Sequence, residues 1–502
     1  YRRYIKTMIK KRLRQSPVRL ELQHEAGNAF LAFFTKKLDM AYAQIFRSSS
    51  PLDFSFCDAV RRLFSHFSEL KAAPPAPLES IPEHTDMLSL VSRRDVLLSY
   101  PFESISPFLA LIRQAADCES VVSIKITLYR IDVHSKLAYS LIQAAENGKE
   151  VVVILELRAR FDEDNNIQWA ERLEQAGCKV IYGLPGYKVH SKVCLITCLR
   201  GGAVHSITQI GSGNYNEKTA KQYTDLSLMT ADREIGEDAA KLFKNLLIGN
   251  LRDIYRRLLV APNTLKTGVF RCIDAEIAKA ESGLPAGIIL KCNSLTDREI
   301  IDRLVNASRA GVKIRLIVRG ICCLVPGVAG STENISVTCI IGAFLEHSRI
   351  YCFGEGEDAA IYISSADLMT RNTADRVEVA CPVIDGAIRA RIREMLDIML
   401  RDNVKAWEHL PDGRYVRKRA AAPAGADTAE SADAGDGTAA EAINSQEYFV
   451  INSKMQQFAE APSPAPSENP GAAETPRRGP LGAAADAIKA RVLKFCEAFE
   501  KI

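Results

Sequence analysis

Between about residues 80 and 260, short apolar runs alternate with stretches of helical period. Residues 121–128 form a continuous apolar strand pattern that ends at Tyr129-Arg130. Residues 137–147 carry apolar side chains on one helical face, and Gly148 follows as a natural helix stop. Residues 151–157 read as a buried strand, 167–176 as a second helix ended by glycine, and 180–182 as a further strand. The order returns between about 261 and 417. There 288–291 is a strand, 296–310 a helix with Thr296 expected as its cap and Gly311 as its stop, and 312–318 a strand ending at Arg319. Alternation of this kind predicts an α/β sheet covered on both faces, and its recurrence predicts a duplication.

The flanks read differently. Residues 25–70 have helical period broken near Ser48-Ser49-Ser50-Pro51, and Ala72-Ala73-Pro74-Pro75-Ala76-Pro77 is a linker. The expected partition is a partial α+β domain over 1–78, α/β domains over 79–260 and 261–417, and a disordered Ala/Pro-rich stretch over 418–483. A C-terminal helical segment over 484–502 reads equally as a docking helix or a frayed end.

Composition narrows this little. A chain of 502 residues, 47% hydrophobic and 25% charged, has room for two or three ordinary globular domains. A net charge of +4 does not indicate a general nucleic-acid binder. The basic residues among the first 20 suit either a solvated helix face or a rim that attracts a polyanion. No apolar run reaches the ~18–20 residues of a membrane span. The chain opens on Tyr1 rather than methionine, which reads as a fragment and leaves targeting open. Thirteen scattered cysteines without a Cys-x-x-Cys pair suggest reduced thiols of a cytosolic protein, not a disulfide frame or zinc site.

The candidate chemistry lies in Gly186-Tyr187-Lys188-Val189-His190-Ser191-Lys192-Val193-Cys194-Leu195-Ile196. Read as a strand, it points His190 and Lys192 to one face. A second version, Phe344-Leu345-Glu346-His347-Ser348-Arg349, places Arg349 where the lysine stood. Each is followed by a small polar turn, Gly211-Ser212-Gly213-Asn214 or Ser364-Ser365-Ala366-Asp367. A neutral imidazole beside a fixed cation suits attack on a phosphate. Val133-His134-Ser135-Lys136 repeats the letters, but a helix follows it, so His134 is expected in a loop without a catalytic role. Arg130, Arg160 and Arg319 fall at strand ends, where ligands of α/β sheets bind, and Arg349, Arg371 and Arg376 are further candidates for phosphate contacts. Each of these arginines could instead serve a structural ion pair.

Taken together, Ile124-Lys125-Ile126-Thr127-Leu128-Tyr129-Arg130, Ala159-Arg160-Phe161-Asp162-Glu163, Lys188-Val189-His190-Ser191-Lys192, the run 211–220, Val318-Arg319-Gly320 and Phe344-Leu345-Glu346-His347-Ser348-Arg349 resemble the bacterial polyphosphate kinase family over roughly residues 5–417. The resemblance implies two phospholipase D-like domains that reversibly transfer the ATP γ-phosphate to inorganic polyphosphate through a phosphohistidine. His190 would be the nucleophile and His347 its phosphate-binding partner in proton transfer. Tyr223 and Arg319 would contact ATP. Arg130 and Arg160 match positions associated with Mg²⁺, and because an arginine cannot ligate a metal they are expected to hold the phosphates that hold it. A homo-oligomer is implied, cytoplasmic with peripheral recruitment to membranes left open, and no nucleic-acid partner. Two departures stand out. Thr197 occupies the position of the phospholipase D aspartate, against a phosphodiesterase, and the family's N-terminal adenine-binding domain is not in the chain. The rival readings are a phospholipase D-like phosphodiesterase and a non-catalytic polyphosphate-binding fragment.

Overall fold

The computed structural model describes residues 15–63, 77–157, 162–419 and 441–459, with Thr7, Met8, Lys10 and Lys11. In the N-terminal part β1 (Leu20–Leu22) pairs in parallel with β2 (Ile45–Arg47), beside helices Asn28–Leu38 and Phe56–Leu63. The basic positions 2, 3, 6, 12 and 14 lie outside the described residues.

The first large sheet contains β3 (Val96–Tyr100), β4 (Val121–Leu128), β5 (Glu150–Leu155), β6 (Lys179–Tyr182), β8 (Val193–Arg200), β9 (Ala203–Gly211) and β10 (Tyr223–Thr230). It is ordered β10-β9-β8-β4-β5-β6, with β3 also on β10. The second contains β11 (Leu259–Ala261), β12 (Gly287–Cys292), β13 (Lys313–Val318), β14 (Ile335–Ile340), β16 (Arg349–Phe353), β17 (Ala360–Ser364) and β18 (Arg376–Pro382). Its order is β18-β17-β16-β12-β13-β14, with β11 also on β18, and β19 (Ala406–His409) and β20 (Tyr415–Arg417) extend it past β14. Strand for strand the two orders match, so the duplication expected from the hydrophobic pattern is a repeated topology.

The strand β5 is buried from Val151 to Leu155 and β12 along its whole length, as parallel strands covered by helices on both faces must be. One apolar cluster runs through both repeats, joining Leu195, Leu226 and Leu228 to Ile289, Ile350, Val377 and Val379. The repeats therefore share a core instead of meeting across a wet boundary.

Helix ends differ slightly from expectation. The second-repeat helix spans Arg298–Arg309 and is capped by Asp297, whose carboxylate accepts from the Ile300 amide, not by Thr296. A carboxylate at this position meets the positive end of the helix. The larger correction concerns 418–483. Within it the helix Ser445–Ala459 is packed across both repeats, with Ser445 bonded to Asp402 of the second and Phe449 buried against Phe102 of the first at a 5.2 Å centroid distance. Composition averaged over Ala- and Pro-rich neighbours hid a short sequence with its own apolar and polar anchors. The segments 420–440 and 460–502, with the expected C-terminal helix, lie outside the described residues. No helix among the described residues is long and apolar enough to cross a membrane, and their cysteines are free thiols.

Candidate active site

The two histidine runs are not single strands. The first is split into β7 (Lys188–Val189), which pairs in parallel with β18 of the second sheet, and β8 of the first sheet. The second is split into β15 (Leu345–Glu346), which pairs in parallel with β10 of the first sheet, and β16 of the second. His190-Ser191-Lys192 and His347-Ser348-Arg349 therefore lie where the chain passes from one repeat to the other. The His190 and Ser191 amides both donate to the Val377 carbonyl, at 2.9 Å each, which interrupts the ladder. The reading of His190 and Lys192 as neighbours on one face of a strand is corrected accordingly. The Lys192 ammonium turns back to the His190 carbonyl.

This exchange sets each imidazole against a carboxylate from the opposite repeat. His190 Nδ1 lies 2.9 Å from Glu378 of β18, and His347 Nδ1 lies 2.8 Å from Asp225 of β10. Each carboxylate is anchored from the polar turn before it: Ser365 Oγ bonds Glu378, and Ser212 Oγ donates to Asp225 at 2.7 Å. A Cβ on Gly213 would fall 1.9 Å from an Asp225 oxygen, so glycine is what lets that carboxylate approach.

Burial and surrounding cations decide the charge states. The His190 ring is held neutral: burial lowers its pKa well below 6.5, and Lys192, Arg376 and Arg349 lower it further. His347 is also pushed down, by burial and then by Arg349, with Asp225 opposing. Burial lowers the Lys192 ammonium to about 7, partly offset by Glu378. Burial raises Glu378, and Lys192, Ser365, Arg376 and Arg349 oppose that shift. A carboxylate accepting from Nδ1 leaves Nε2 as the basic nitrogen of a neutral ring.

Arg349 is fixed by Asp367 in a fork, Nε to Oδ1 and Nη2 to Oδ2 at 3.1 Å each. Its third nitrogen donates to the Ser212 carbonyl of the first repeat at 3.2 Å and the His347 carbonyl at 2.8 Å. Arg319 donates to Asn293 Oδ1 and, at 2.7 Å, to the Glu346 carbonyl. The Tyr223 ring sits 5.2 Å from that of His347, and Tyr129 lies 5.0 Å edge-on to His190. Arg376 reaches Glu378 at 3.9 Å. These residues form one constellation.

Arg371 does not join it through its position on the sequence alone. It stands exposed on the short helix Thr370–Ala374, while the adjacent Asn372 is buried and donates to Glu378 at 2.6 Å. Arg130 lies half-buried, 2.9 Å from Asp162, and Arg160 is outside the described residues. His134 is exposed in the turn before helix Lys136–Glu146. Thr197 sits mid-strand in β8, opposite Ser206 and Ser123.

The residues not assigned from sequence are the two carboxylates with their serines, together with Asp367 and Asn293. A signal was present: Tyr223-Thr224-Asp225 and Arg376-Val377-Glu378 occupy matched places at the start of equivalent strands. As for metals, no group of three or more His, Cys, Asp or Glu among the described residues is placed to hold an ion. Arginines cannot ligate a metal themselves, so Arg130 would meet a divalent cation only through phosphate oxygens.

The fold and site define a duplicated α/β protein with one buried and one half-buried histidine, each completed by an acid from the other repeat. Residues 86–250 match the family model for polyphosphate kinase C-terminal domain 1, and residues 258–428 that for C-terminal domain 2. A polyphosphate kinase of Pseudomonas aeruginosa is 44% identical over 403 residues, covering 80% of this chain and 58% of the relative. One from Staphylococcus haemolyticus is 41% identical over 416 residues, covering 82% and 57%. The crystal structure of polyphosphate kinase from Porphyromonas gingivalis aligns with a TM-score of 0.73 at 32% identity, covering 89% of this chain and 66% of that one. The chain belongs to the polyphosphate kinase family. It spans a little over half the length of these curated relatives.

Proposed function

We propose that this chain carries the phosphoryl-transfer centre of an ATP:polyphosphate phosphotransferase that works through a phosphohistidine on His190. The observation that carries the reading is the buried, neutral imidazole with Nδ1 engaged by Glu378, which leaves the Nε2 lone pair available. In the first half-reaction Nε2 attacks the γ-phosphorus in line, the bond to the β–γ bridging oxygen breaks, and ADP leaves with that electron pair. The resulting phosphoimidazolium keeps its proton on Nδ1, hydrogen-bonded to the Glu378 carboxylate. In the second half-reaction a terminal polyphosphate oxygen attacks the phosphorus, the N–P bond breaks, and the ring regains its lone pair. Each half-reaction is reversible, because the N–P bond is itself high in energy.

Lys192, Arg376 and Arg349 supply positive charge to the transferring phosphoryl oxygens. Tyr223 and Arg319, beside His347, suit the nucleotide. His347 is placed to hold phosphate and relay a proton. Mg²⁺ is read as part of the nucleotide and polyphosphate substrates, neutralising phosphate charge, with Arg130 and Arg160 on those phosphates.

The test is incubation of the full chain with Mg-ATP and short polyphosphate. ADP release coupled to chain growth, and ATP formation when ADP is supplied, are expected. Hydrolysis of a chromogenic phosphodiester without either would replace this reading with a phosphodiesterase. Polyphosphate binding without turnover would replace it with a binding fragment.

A further inference from the structure

We infer that Gln446, on the helix Ser445–Ala459, is a positioning residue for the His347 half of the site. The inference rests on the reading of His347 as the phosphate-binding partner, but its geometry is independent of that reading. The helix lies beyond residue 428, where the match to the second catalytic domain ends.

Gln446 grips the segment before His347 at three points. Its carbonyl oxygen accepts from the Phe344 amide at 2.9 Å, and its amide nitrogen donates to the Phe344 carbonyl at 2.9 Å and to Glu346 Oε1 at 2.7 Å. An amide satisfied on both ends, 3% exposed, holds its partner in one orientation. Glu346 passes the constraint inward. Its other oxygen lies 2.9 Å from the buried Lys291 ammonium and accepts from Thr224 Oγ1 at 3.0 Å. Thr224 Oγ1 accepts from the His347 amide at 3.0 Å, and the Glu346 carbonyl takes the Arg319 hydrogen bond. Gln446 thus reaches the His347 amide through Glu346 and Thr224, and the Arg319 guanidinium through Glu346 alone.

The helix is itself docked tightly enough to act as a reference. Asp402 accepts from the Ser445 amide and hydroxyl at 2.8 and 2.7 Å, while three following amides bond its other oxygen. Phe449 closes on Phe102, which meets Phe344 edge-on at 5.6 Å. On the facing side Gly342 leaves room for the amide: a Cβ there would fall 2.2 Å from Gln446 Oε1. Gly342 is outside the left-handed region, so alanine would strain this contact and not the backbone.

The test compares Gln446→Met, which keeps volume and loses all three bonds, with Gly342→Ala, which pushes the amide away while leaving its chemistry intact. Both are made in the full chain and measured well below their melting midpoints. A misplacement near 1 Å costs up to about a hundredfold, so kcat is expected to fall by about tenfold or more. In ¹⁵N-histidine NMR the His347 ring signals should move while those of His190 and His134 stay. Folded variants whose His347 signals and kcat match the wild type would overturn the proposal. If Gln446→Met fails to fold, Gly342→Ala decides by the same readouts. A wild-type chain without phosphotransferase activity would sink the functional reading alone, and the His347 signals would still decide this one.

Discussion

His190 and Glu378 are 188 positions apart in the chain, and their side chains meet at 2.9 Å. The contact exists because β7 pairs with β18 of the other repeat. The His190 imidazole of one repeat thus takes its tautomer from the other, and neither repeat carries a complete histidine–carboxylate pair. Glu378→Gln should keep the fold, since Ser365 and Asn372 can still bond an amide, while losing the acceptor that fixes Nδ1–H. Loss of an orienting carboxylate of this kind costs about 10²–10⁴ in kcat. Near wild-type turnover in a folded Glu378→Gln protein would remove Glu378 from the account.

Arg349 makes the corresponding link on the His347 side. A lysine there would keep the charge but could not fork onto Asp367 while reaching the Ser212 carbonyl. Arg349→Lys should therefore lower both activity and thermal stability, by roughly 3 kcal/mol in stability because Asp367 is left buried with a poorer partner. Asp367→Asn combined with Arg349→Lys should recover part of that loss. A fully additive double variant would argue against the pair.

The histidines also shape the response to pH. Burial holds both rings neutral in the folded protein, with pKa values below the 6.5 of an unfolded histidine. Below pH 6.5 the unfolded chain takes up protons that the folded chain refuses, so stability is full above that pH and falls as pH drops toward the folded values. Each such histidine contributes a slope of about 1.4 kcal/mol per pH unit across the window. Urea midpoints between pH 7.5 and 5 should fall less steeply in His190→Asn than in the wild type. Equal slopes would mean that His190 is not held neutral by the fold.

Lys192 predicts the opposite limb. Its ammonium, 1% exposed, loses its proton near pH 7, far below the usual lysine value. If that charge holds phosphoryl oxygens, kcat/KM in the free enzyme should decline as pH rises past about 7. In Lys192→Arg the guanidinium keeps its proton, and the decline should move to much higher pH. An unchanged alkaline limb in that variant would assign it to another group.

Much of this was legible in the sequence. Hydrophobic period located the strands and helices of both repeats, and the two His-x-Lys/Arg runs are the segments that the fold brings together in the candidate site. What local pattern could not show is that each run straddles two sheets, because pairing between β7 and β18 is a contact across the whole chain. The same blindness hid Asp225 and Glu378, whose roles come from the opposite repeat. It also led Arg371 to be weighed equally with Arg376, although one helical turn faces Asn372 inward and leaves Arg371 in solvent. Gln446 was missed for a different reason, since the low-complexity residues around it dominated the composition of 418–483.

The most direct test of the central claim is transfer of label from γ-³²P-ATP to the full chain in the presence of Mg²⁺. Acid-labile, alkali-stable label that is lost in His190→Ala and kept in His134→Ala is the predicted result, with the phosphate mapped to Nε2. Label that survives in His190→Ala, or that maps to Nδ1, would contradict the account.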